Sequence, residues 1–113
     1  MASFNPDSTQ KIVNVVNNAR NHPMYQNYEI SSYCGDWRTG VQIVDISKNG
    51  ETINQFHFYP GIDGEIQSIA IYGSNLRGHL NAILSSMSIF GMPVESAEMD
   101  SGYSDYVDVY LKN

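Results

Sequence analysis

Asn49-Gly50 stands between two runs of alternating apolar and polar residues, Val41-Gln42-Ile43-Val44-Asp45-Ile46 and Thr52-Ile53-Asn54-Gln55-Phe56-His57-Phe58. Asn-Gly is the preferred centre of a two-residue hairpin turn, because both central residues must take positive φ. A tight hairpin therefore constrains the fold more than any other feature. A regular ladder from that turn sets Ile46 opposite Ile53, Val44 opposite Gln55 and Gln42 opposite His57. On the alternate face Ile43 meets Phe56 and Val41 meets Phe58, and this second face is the expected core face. His57 then lies on the other, more polar face with Gln55 and Tyr59.

The flanking segments extend this nucleus. Pro6-Asp7-Ser8 reads as a helix start, with Asp7 and Gln10 spaced as a capping box. Ile12, Val16 and Ala19 form an apolar stripe that Val13 and Val15 widen, and Asn21-His22-Pro23 ends the helix. Residues 28–33 read as a strand that turns at Cys34-Gly35-Asp36. Residues 65–72 form a further strand, with Ile69 and Ile71 inward. Leu76, Leu80, Ile83, Leu84 and Met87 trace a helix over 75–90. Residues 94–99 have the length of a short strand. Residues 105–111 alternate, with Val107, Val109 and Leu111 inward and Tyr106, Asp108 and Tyr110 outward. The expected fold is α+β: one domain over 1–113, a mainly antiparallel sheet of four to six strands, and two helices packed on one face. The uncovered face is polar yet aromatic, and function is sought there.

Composition narrows the classes. The chain has 113 residues, enough for one core without metal or disulfides. Its net charge of −6 argues against a basic nucleic-acid binder, since phosphate recognition needs clustered Lys and Arg. One cysteine permits no intrachain disulfide, and the first residues lack the pattern of a signal peptide. A cytoplasmic location, in the organism's own cell or in a host cell, is the expectation.

Several residue groups fit a chemistry and also a plainer role. Tyr33-Cys34-Gly35-Asp36-Trp37, followed by His57, His79 and Asn81, has the residue types of a thiol enzyme in a workable order. Cys34 stands at a strand end rather than a helix start, however, and Asp36 would raise its pKa. A small buried apolar role is the commoner one. His22, His57 and His79 show no metal-ligand spacing, so no metal or other cofactor is expected. Gly73-Ser74-Asn75-Leu76-Arg77-Gly78-His79 lies between a strand and a helix, where backbone N–H groups bind anions, but His79-Leu80 replaces the Lys-Ser/Thr pair of a phosphate loop.

The regional bias that carries most weight is the acidic, tyrosine-rich end. Residues 91–113 hold Glu95, Glu98, Asp100, Asp105 and Asp108 against Lys112, an excess of 5 − 1 = 4 negative charges out of the net −6. Tyr103, Tyr106 and Tyr110 are interleaved with these acids. Phenols anchor binding surfaces, and carboxylates around them favour a basic partner. The expected function is a non-enzymatic inhibitor occupying a basic, nucleic-acid-binding surface of a partner protein, with no direct contact to nucleic acid or membrane. Phage-encoded anti-defence inhibitors, immunity proteins and antitoxins are functional classes of this size and charge. The alternative is a module or small enzyme for an anionic metabolite or nucleotide, with Ser74, Asn75, Arg77, His79 and His57 around a pocket. A third arrangement is a homodimer joined through the polar-aromatic sheet face.

Overall fold

The computed structural model describes residues 3–21, 23–73, 84, 92–99 and 106–111. Helix α1 spans Pro6–Asn21, and a short 3-10 turn follows at Pro23–Tyr25. The strands are β1 (Glu29–Asp36), β2 (Val41–Lys48), β3 (Glu51–Pro60), β4 (Ile66–Gly73), β5 (Val94–Met99) and β6 (Tyr106–Leu111). They form one six-stranded antiparallel sheet in the order β1-β2-β3-β4-β6-β5.

The hairpin turns where the sequence placed it, with φ of 54° at Asn49 and 80° at Gly50. Its ladder differs from the regular one. Lys48 pairs with Glu51 and Ser47 with Thr52, but Ile46 pairs with Asn54, which leaves Ile53 as an extra residue. This β-bulge moves every later pair by one position. Val44 now faces Phe56, Gln42 faces Phe58 and Ile43 faces His57. The expected core face is thereby corrected: Val44, Ile46, Phe56 and Phe58 point to the core, not Ile43 and Val41. A regular ladder would put Gln55 beside Val44 in the core. The bulge instead aligns the apolar sets of both strands.

Register carries this sorting across the sheet. Phe56 and Phe58 pair with Ile71 and Ile69, which pair with Val107 and Val109. All belong to the core cluster, and Ile69, Ile71, Val107 and Val109 are wholly buried. Ile12, Val15 and Ala19 of α1 join the same cluster, so α1 covers this face. Val16 packs at its margin and Val13 is exposed.

Two expectations are revised, and a third falls outside the described residues. Among the described residues there is one α-helix rather than two. The helix expected over 75–90 lies outside them, apart from Leu84, which is helical and packs against the core. The turn expected at Cys34-Gly35-Asp36 belongs to β1, and the chain reverses after it, closed by Gly40 N–H donating to the Asp36 carbonyl at 2.8 Å. A Cβ at Gly35 would collide with the Ile43 side chain, which would have to shift to admit it. Finally, α1 is capped by Asn5, not Asp7.

The Asn5 Oδ1 accepts the Ser8 N–H at 2.8 Å, with Pro6 at the first helical position. Asn5 Nδ2 and the Ser8 hydroxyl both donate to the Glu65 carboxylate, at 2.8 and 3.1 Å. Asn5 N–H donates to the Gly64 carbonyl at 2.9 Å. The helix start is thus latched to the turn between β3 and β4. These donors hold the Glu65 carboxyl below its ordinary value of 4.5. A depressed carboxyl stabilises the fold above its unfolded pKa, and that stability is lost as pH falls through the folded value. Urea unfolding between roughly pH 2 and 6 should therefore show an acid limb that Glu65→Gln flattens. Asn5→Ala should cost about 1 kcal/mol at neutral pH, through the lost cap.

Candidate functional site

Strand side chains alternate, so the residues opposite the core set form one continuous face. The register builds it in rows. Gln55 of β3 lies beside Tyr72 of β4 and Tyr106 of β6, and Asp45 of β2 is on the other side of Gln55. The next row runs Tyr33, Ile43, His57, Ala70, Asp108 and Glu98 across all six strands. A third joins Tyr59, Ser68, Tyr110 and Ser96. Tyr33, Tyr72 and Tyr110 are exposed there. Val41, Ile43 and Ala70 are buried but stand outside the core cluster, and form an apolar floor beneath the larger side chains of this face.

A chain of hydrogen bonds and ring contacts crosses the face. Gln55 Nε2 donates to Asp45 Oδ1 at 2.6 Å and approaches the Tyr33 hydroxyl at 3.4 Å. Because a carboxylate only accepts, the Gln55 amide must present its oxygen to His57, whose Nε2 lies 2.5 Å away. His57 therefore donates from Nε2–H. Its ring centroid is 4.7 Å from that of Tyr72, and Tyr72 is 4.9 Å from Tyr106. The Tyr106 hydroxyl donates to Asp108 Oδ1. Ala70 is small enough that the surrounding rings close over it, leaving it wholly buried on an otherwise open face.

The electrostatics follow from this packing. Desolvation, then the Asp108 carboxylate, push the Tyr106 phenol well above 10.0. Desolvation and then Tyr72 and Asp108 raise Tyr59. Desolvation, then Asp45, raise Tyr33. These phenols stay protonated at pH 7, and Tyr106 donates to the Asp108 carboxylate. Desolvation lowers His57 below 6.5 against a smaller opposing pull from Asp45, so the imidazole is neutral at pH 7. The strand positions of this face hold Glu29, Asp45, Glu98 and Asp108, and none of them holds Lys or Arg. The face is acidic, phenolic and chemically suited to a cation: carboxylates supply charge and the rings supply π faces.

Of the residues singled out in the sequence, Tyr106, Asp108, Tyr110 and Glu98 share this face. Glu95 is exposed at the bulge of β5. Asp100, Tyr103 and Asp105 lie outside the described residues, as do Ser74, Asn75, Arg77 and His79. His57 sits among Asp45, Asp108 and phenols, surroundings that disfavour an anion beside it. Cys34 is exposed and pairs with Gln42 on the core side of the sheet, so its thiol and the His57 ring project from opposite faces. This corrects the small buried role expected of Cys34 and removes His57 as its base. Among the described residues no three His, Cys, Asp or Glu gather to hold a metal ion, and no helix is long and apolar enough to cross a membrane.

Sequence alone singles out the chain's end and gives Tyr33, Asp45 and Tyr72 no binding role. Their signal was present in the alternation of β1, β2 and β4, but only the bulged register shows that they align with Asp108. The chain matches no protein-family model, no curated protein and no solved structure.

A depressed His57 pKa implies that the unfolded chain binds the extra proton between the folded value and 6.5. Stability should be full above about pH 6.5 and decline as pH falls below it. NMR titration of the His57 ring should give a midpoint under 6.5, and His57→Gln should remove that part of the decline.

Proposed function

We propose that this chain is a non-enzymatic binding protein whose open sheet face occupies a basic surface of a partner protein. The observation that carries the reading is the alignment of Asp45, Asp108 and Glu98 with Tyr33, Tyr72, Tyr106 and Tyr110 on one face without a strand Lys or Arg. Phenols are stiff and amphipathic, so they bury area at little entropic cost. The carboxylates steer a cationic partner and set its orientation. Basic surfaces of this kind commonly serve nucleic acid, and carboxylates on a rigid sheet can stand in for phosphates. The finer reading is an inhibitor of a nucleic-acid-handling protein, of the anti-defence, immunity or antitoxin type, acting in the cytoplasm of its own or a host cell.

The neutral state of the phenols supports binding rather than catalysis. Groups held far above neutral pKa cannot serve as bases at pH 7, and the exposed thiol faces away from the imidazole.

The double variant Tyr106→Ala/Asp108→Lys removes one anchor and inverts one charge on the β6 part of the face. Affinity capture from the native host, quantified by mass spectrometry, should retain a Lys/Arg-rich protein on the wild-type chain. Capture should fall by about tenfold or more on the double variant, as for an interface hot spot. It should also weaken as salt is raised. Equal capture by both chains, with matching circular dichroism, would place the binding surface elsewhere.

A further inference from the structure

We propose that the open face holds a seat for an arginine side chain of its partner, made by the Tyr110 ring together with the Asp108 and Glu98 carboxylates, and that this seat selects arginine over lysine. The inference rests on the open-face reading above and names the cation that the face takes.

The two carboxylates are placed against the interest of the fold. Asp108 of β6 stands directly opposite Glu98 of β5. Directly opposite residues of an antiparallel pair have Cβ atoms about 4.5–5.5 Å apart, and like charges at that spacing destabilise a sheet. Among the described residues no Lys, Arg or His pairs with either carboxylate, and the ion pair of Lys11 with Glu65 lies at the helix latch. The Tyr106 hydroxyl donates to Asp108 Oδ1, which leaves Oδ2 and the exposed Glu98 carboxylate to accept from outside. A charge that only guards the β5 edge against pairing gains nothing from an acid opposite it.

An uncovered ring lies beside the pair. In the next row Tyr110 stands between Ser68 of β4 and Ser96 of β5. Both serines are too short to cover a phenol, and Tyr110 is 40% exposed. It is two residues from Asp108 on the same strand face, about 6.6 Å along β6. On the opposite side of Asp108 stand Tyr106 and the wholly buried Ala70.

This combination fits a guanidinium better than an ammonium. A guanidinium is flat, so its plane stacks on the ring while its edge N–H groups reach both carboxylates. Bridging the pair also relieves the repulsion between them. An ammonium is a compact and strongly hydrated charge with no flat face, so it meets the carboxylates or the ring but gains little from having both.

Fluorescence anisotropy with labelled hexa-arginine and hexa-lysine peptides tests the seat. The two probes carry equal charge, so general attraction to an acidic face cancels in their ratio. The whole chain should bind hexa-arginine about tenfold more tightly than hexa-lysine. Tyr110→Leu keeps bulk but removes the π face, and should bring that ratio to about one. Tyr110→Phe should preserve it. Glu98→Gln should weaken hexa-arginine more than hexa-lysine. Both positions are exposed, so these variants leave the core intact. An arginine preference that survives Tyr110→Leu would overturn the proposal. Equal binding of the two peptides, abolished by Tyr106→Ala/Asp108→Lys, would overturn the arginine seat and leave the acidic-face reading standing. Binding of neither peptide would overturn both. At constant ionic strength, displacement of hexa-arginine by millimolar calcium would assign the carboxylate pair to a metal ion instead.

Discussion

One extra residue in β3 decides what this protein shows to solvent. The bulge at Ile53 resets the parity of everything that follows it, and strand parity has no intermediate values. With the bulge, Val44 and Ile46 of β2 and Phe56 and Phe58 of β3 face α1 together. Gln55, His57 and Tyr59 are turned to the opposite side, where β4 and β6 add Tyr72, Tyr106, Asp108 and Tyr110. A one-residue slip would send phenylalanines into water and the imidazole into the core. The open face is thus a by-product of core formation, fixed by the hydrophobic gain of aligning Val44, Ile46, Phe56 and Phe58.

The face that results is rigid for the same reason. Its polar groups stand on strands whose other sides are locked into the core, and they bond to each other across strands. Gln55 is the hinge of that network, because one amide must serve both a carboxylate and an imidazole. Preorganised polar groups of this kind lose little freedom when a partner arrives. The neutral His57 and the protonated phenols leave the carboxylates as the charge of the face.

Much of this architecture was legible in the residues. The Asn49-Gly50 turn, the stripe of α1, the inward Ile69 and Ile71 and the alternation of β6 all carried direct signals, and their physics is local. The placement of His57 with Gln55 and Tyr59 on the polar face was also right. Its stated partners across the hairpin were not, because a bulge has no signature in a chain of alternating residues: Ile53 looks like any other inward isoleucine. Asn5 was missed as the helix cap because Glu65, which makes that capping geometry worthwhile, is sixty residues away. Asp45 and Tyr72 were missed for a related reason. Each is an ordinary strand residue until long-range pairing sets it beside Asp108 and Tyr106.

Backbone and ring NOEs measure that parity directly. A bulged hairpin predicts cross-strand contacts joining Ile43 to His57 and Val44 to Phe56, together with ring contacts from His57 to Tyr72 and from Tyr72 to Tyr106. Contacts joining Val44 to Gln55 and Ile43 to Phe56 instead would restore the regular ladder, dissolve the shared face and contradict the account at its root.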